Sequence, residues 1–199
     1  MKKFLSIIYL LLSAVISLHG ASRYTLPCRY ILIDKSREIC KSQMGLREKT
    51  GHNDGLHVEN YLKAVRLNPK GKYPYCYAGQ YWAYLQACIE LNICLNEIPI
   101  PKSGLANAPY NFAVKHGKKT RYKTKKNDFL IWRGNKGGHI ERIYSVGKTG
   151  WVYTYGFNTS NGKTGNQREG NINSRRSRNI FHLLNRMRVR GLVGLEPKE

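Results

Sequence analysis

Hydrophobic spacing changes period once along this chain, from helical in the first half to strand-like in the second. Over 31–50, Ile39, Cys40 and Met44 fall on one side of a helix. "LHVENYLKAV" (56–65) repeats the pattern with Val58, Tyr61, Leu62 and Val65. Between the two, "TGHNDG" (50–55) reads as a turn, since Asn, Asp and Gly suit such backbones. After the loop "NPKGKYP", a helix starting near Cys76 aligns Ala78, Tyr81, Trp82, Leu85, Cys88 and Ile89 in one apolar stripe, which reads as core. Residues 92–126 look irregular, with Pro99, Pro101 and Pro109 before the basic run "KHGKKTRYKTKK". Then "DFLIW" (128–132), "HIERIYSV" (139–146) and "WVYTYGF" (151–157) are rich in β-branched and aromatic residues and predict strands. The tail "RRSRNIFHLLNRMRVR" is basic, with Ile180, Phe181, Leu183 and Leu184 able to pack. Helices first and an antiparallel sheet second give the class α+β.

The N-terminus follows a different rule. Lys2 and Lys3 precede an apolar run over 4–18 and then the small residues Gly20, Ala21 and Ser22. This is the order of a secretory signal peptide. The run falls short of the roughly 20 residues that a spanning helix needs, so no stable membrane anchor is expected. The division is therefore a signal peptide over 1–21 and one domain over 22–199, exported to the periplasm or beyond.

Charge narrows the partners. The chain has 34 Lys plus Arg against 12 Asp plus Glu, a net +22; without Lys2 and Lys3 it is +20. Such a surface favours polyanions, and for an exported monomer an acidic wall polymer is the accessible one. No sequence-reading or groove-binding motif is present, so no nucleic acid is expected. Part of the charge is also explicable as solubilising surface. The five cysteines are Cys28, Cys40, Cys76, Cys88 and Cys94, an odd count that leaves one thiol unpaired in an oxidising compartment. Pairing Cys88 with Cys94 and Cys28 with Cys40 would leave Cys76, although four cysteines can pair in three ways.

Cys76 sits where the third helix begins. A helix N-terminus carries partial positive charge and unpaired N–H groups, which favour thiolate; the alternative is a small buried hydrophobe. A nucleophilic thiol needs a base, and the base needs a group that holds its tautomer. Among six histidines, His139 opens a strand directly after "GNKGG", where glycines permit close approach. A histidine there can also be purely structural. Asn158, in "YTYGFNTSNG", follows the next strand and could accept the imidazole N–H or simply cap a turn.

The blocks "REICKSQMGLREKTGHNDGLHVENYLKAVRL", "YPYCYAGQYWAYLQA", "NDFLIWRGNKGGHIERI", "TYGFNTSNG" and "REGNINSRRSRNIF" resemble, in that order, exported CHAP-type cysteine peptidases and amidases. The resemblance covers most of residues 30–190 and is most specific at the Cys-helix and the Gly-Gly-His strand. It implies a papain-like fold and hydrolysis of amide bonds in the peptide part of peptidoglycan, with no cofactor or metal. It assigns Cys76 as nucleophile, His139 as general base and Asn158 as the polar residue after the third strand. Two positions depart from the pattern: relatives often carry an acid where this chain has Gly156, and a glycine where it has Glu141. An inactive wall-binding protein of the same fold and a basic exported antibacterial toxin are the competing expectations.

Overall fold

A computed structural model describes residues 21–135, 137–160 and 170–198. The expected signal peptide, apart from Ala21, lies outside the described residues. The described chain is α+β, with seven strands in one sheet and four helices. It opens on a strand, β1 (Ser22–Arg29), followed by α1 (Tyr30–Ser42), α2 (Leu56–Ala64), α3 (Cys76–Glu90) and α4 (Ala108–His116). Strands β2 (Lys118–Thr120), β3 (Phe129–Gly134), β4 (Gly137–Val146), β5 (Trp151–Thr159), β6 (Ile172–Asn179) and β7 (Arg188–Lys198) complete it. The sheet order is β2-β1-β7-β3-β4-β5-β6. All neighbours are antiparallel except β1 and β7, which run parallel. The sheet is therefore mixed, and a strand precedes the helices, which corrects the expected order of elements.

Pro27 hides β1 in the sequence, because proline cannot donate to a ladder. It is tolerated because β2 pairs only with Arg23–Thr25, so the β2 side of Pro27 has no ladder to break. The expected first helix over 31–50 stops at Ser42. Beyond the turn at Gly45 (φ 99°), the backbone pairs with the start of β6: Gly45 N–H donates to the Asn173 carbonyl at 2.8 Å and Asn173 N–H to that of Leu46 at 2.9 Å. Tertiary pairing overrides helical spacing here.

β3 explains the uninterrupted apolar run after Asp128. Phe129 and Ile131 join the main core under the helices, with Leu62, Tyr77, Phe157 and Val193. Leu130 and Trp132 point the other way, into a smaller core with Ile143, Val152 and Leu192. A strand covered on both faces reads as continuous hydrophobicity. Ile180, Leu184 and Met187, from the turn region between β6 and β7, pack against the smaller core, so the basic tail does supply apolar cover.

Two contacts seat α3 on the sheet. Gln80 Nε2 donates to the Tyr155 carbonyl at 3.0 Å, and Gly79 lies so close to β5 that a Cβ there would stand 2.2 Å from Phe157. These fix the helix start, and with it Cys76, against β4 and β5.

Candidate active site

Cys76 is the first residue of α3. Tyr75 before it supplies no side-chain cap, and the first turn holds no acidic side chain. The backbone N–H groups of this turn are thus not consumed by a cap, and the partial positive charge of the helix end is not neutralised locally. Cys76 is buried, 4% exposed.

His139 lies on β4 opposite Trp132 of β3, with the rings 5.8 Å apart. It is fully buried, hydrogen-bonds Glu141, and lies close enough to the Cys76 side chain for the two to interact electrostatically. Its Nε2 is 3.0 Å from Glu141 Oε1, which leaves Nδ1 as the nitrogen available to the thiol. Burial alone would depress the imidazole. The interactions with Cys76 and Glu141 outweigh it and push His139 up to about 9.

Glu141 is itself held by His139 on its own strand and from two other strands. Thr154 Oγ1 on β5 donates to Oε2 at 2.5 Å; Arg178 on β6 donates through Nε at 2.9 Å and Nη2 at 2.5 Å. Burial opposes ionisation, yet the Arg178 charge, followed by the His139 and Arg178 hydrogen bonds, holds this carboxyl far below the usual carboxylate range. A fully buried carboxylate is costly unless paired and hydrogen-bonded, and every bond here is charge-assisted or short.

The structure thus brings Cys76 and His139 together, and Glu141 is the group observed on Nε2. Asn158 stands near the end of β5, fully buried, with left-handed φ of 52° and Gly170 packed against it. Asn161, three residues further on in the same "FNTSNG" stretch and the next amide that could orient the imidazole, lies outside the described residues. Residue spacing alone missed Glu141 because it reads as one polar position of a strand, but the register reveals its meaning. Glu141 pairs directly with Gly156 across β4 and β5, and a Cβ on Gly156 would stand 3.0 Å from Glu141 Oε1. Glu141 and Gly156 are thus direct cross-strand neighbours, and the absence of a side chain on Gly156 leaves room for the carboxylate.

The other thiols differ. All five cysteines are free, which corrects the expected pairs. Cys28 is the penultimate residue of β1, while Cys40 is ten residues beyond the start of α1, roughly 15 Å along its axis, and a disulfide needs Cα atoms closer than about 7 Å. Cys88 Sγ faces the Cys94 carbonyl at 3.9 Å, not its sulfur. Burial pushes Cys28 up to about 12 and Cys88 up to about 11.

No family model matches the chain, and no curated protein or solved structure matches it either.

Proposed function

We propose that this protein is an exported cysteine hydrolase of papain-like, CHAP-type fold that cleaves amide bonds in the peptide part of peptidoglycan. The observation that carries the reading is one grouping: Cys76 at a helix start, His139 interacting with it, and buried Glu141 hydrogen-bonded to one ring nitrogen of His139. The third member matches the general requirement that a base be oriented by a further group.

In the proposed reaction His139 takes the Cys76 proton, giving thiolate and imidazolium. The thiolate adds to the amide carbonyl carbon and forms a tetrahedral intermediate. Its oxyanion is placed near the N–H groups of the α3 start, the Cys76 N–H among them, where a fixed donor lowers the barrier. Collapse expels the amine, which receives the proton from His139, and leaves an acyl-enzyme. Water, activated by the now neutral His139, releases the acid and restores the thiol. Glu141 keeps the imidazole in one tautomer and stabilises its charged form throughout.

The substrate class rests on the resemblance, the N-terminal sequence and the +20 charge. Purified sacculi test it: turbidity falls with the wild type and stays constant with Cys76→Ala. Equal clearing by both proteins would overturn the reading, and binding without clearing by the wild type would favour the non-catalytic wall-binding protein.

A further inference from the structure

Three hydrogen-bond donors on β3 and β6 lack an acceptor among the described residues. Trp132 is 1% exposed, and its indole N–H has no partner. Arg176 Nε is likewise buried and unpaired. Arg178 uses Nε and Nη2 on Glu141, and no bond engages its Nη1. Its guanidinium lies over the Trp132 ring, 6.0 Å from the centroid.

Charge is unbalanced in the same direction. Arg176 and Arg178 repel each other, and Glu141 is the acid that acts on both. Burial, then Arg178, lowers the Arg176 guanidinium below its ordinary value, with Glu141 opposing. Two guanidinium groups beside one carboxylate are short of negative charge and of oxygen atoms.

A cleft of about 180 Å³ opens here, lined by Trp132, Trp151, Ser177, Arg178, Asn179 and His182 among others. Trp151 is half-exposed and offers an aromatic wall. The volume is below the roughly 300–1,000 Å³ of sites for drug-sized ligands, so it suits one small group.

We propose that this cleft is a binding site for a small carboxylate, held by Trp132 and Arg178, with the positive charge of Arg176 close by. Indole N–H is a donor only, so its partner must bring an oxygen. Buried polar groups are rarely left unpaired in native structures, and guanidinium prefers a carboxylate over a neutral acceptor. The carboxylate belongs to a free small acid or to a peptide terminus; both present the same two oxygens. The site adjoins His139 and Glu141 through Trp132 and Arg178, but it does not rest on Cys76 being a nucleophile.

The test is an NMR titration of ¹⁵N-labelled protein with sodium acetate, and in parallel with N-acetylalanine, following the Trp132 indole resonance. A saturable shift is expected with each, tighter for N-acetylalanine if peptide termini are the natural source and equal if free acids are. Sodium chloride at matched ionic strength should give no saturable shift. Arg176→Gln should weaken binding by a few fold, as expected for losing a nearby positive charge rather than a direct contact. Arg178→Lys, which keeps a positive charge beside Glu141, should weaken it as well, because lysine lacks the planar fork. Cys76→Ala should bind as the wild type does, so the site can stand if the hydrolase reading falls. No saturable shift, an equal shift with chloride, or unchanged binding in both arginine variants would overturn the proposal.

Discussion

Cys40 and Cys76 are both buried thiols on helices that pack into the main core, yet their surroundings differ in kind. Cys40 lies near the end of α1, where its Sγ donates to Gln80 Oε1 at 3.4 Å. Burial pushes its thiol up, against the pull of Arg142. Cys76 lies at a helix start and meets an imidazole whose other face is held by a carboxylate. Burial by itself therefore makes a cysteine inert; burial with an oriented base makes it a candidate nucleophile. The contrast extends to arginines. Arg142 is buried among acceptors that are neutral, donating to Ser36 Oγ at 2.9 Å and the Ile33 carbonyl at 2.8 Å, which ties α1 to β4. Arg178 instead spends two donors on Glu141, the carboxylate that holds the base.

The sharpest way to break this comparison is to remove each thiol in turn. Cys76→Ala should abolish clearing of sacculi, a loss of at least about a thousandfold, since a covalent mechanism has no substitute nucleophile. Cys40→Ala should leave the rate within about threefold while lowering stability by about 1 kcal/mol for the lost buried group. Comparable rates in the two variants would remove the distinction.

Reagent access gives the second test. Iodoacetamide at pH 6, followed by peptide mass mapping, should label Cys76 and leave Cys28, Cys40 and Cys88 unmodified. The label on Cys76 should fall by about a hundredfold in His139→Ala, the low end of the range for loss of a positioned base. Labelling of Cys40 with Cys76 inert would reverse the assignment of roles.

Glu141→Gln and Asn158→Ala ask which group orients His139. Glu141→Gln should reduce turnover by about tenfold to a thousandfold, because the tautomer and the imidazolium both lose their support. Asn158→Ala should cost less. A larger loss for Asn158→Ala would transfer the orienting role to the amide.

Titration behaviour follows from the same groups. His139 is raised to about 9, so its stabilisation is complete below its unfolded value near 6.5 and is lost as pH rises through about 9. Glu141 is depressed, so its contribution is present above the unfolded value near 4.3 and is lost as pH falls below it. Melting temperature should be highest between about pH 4.5 and 6.5 on these two groups alone. In Cys76→Ala the imidazole loses the first of its raising causes, so the His139 ring protons should titrate at lower pH by NMR. An unshifted titration would mean that thiol and imidazole do not interact.

The smallest effect concerns the platform. Gly79→Ala should cost about 1–3 kcal/mol by pressing α3 off Phe157, with Cys76 displaced alongside. Urea denaturation measures the stability loss; no loss would show that α3 does not sit as closely on β5 as described.

Local chemistry in the sequence was enough to mark Cys76 at a helix start, His139 on the strand after a glycine pair, the three central strands and the α+β class. Each depends on short-range spacing, and spacing is a property of the chain itself. The ends of the sheet were not legible that way. β1 carries a proline, and β6, "INSRRSRN", is an edge strand whose polar residues show no apolar alternation. Such strands exist because a neighbour offers a ladder, not because their own pattern demands it. The site divides along the same line. Glu141 and Gly156 are fifteen positions apart and look unrelated until the β4–β5 register sets them face to face. Arg178 reaches the same carboxylate from a third strand. Which acid holds the base was decided by strand register, a long-range property that no local stretch of sequence contains.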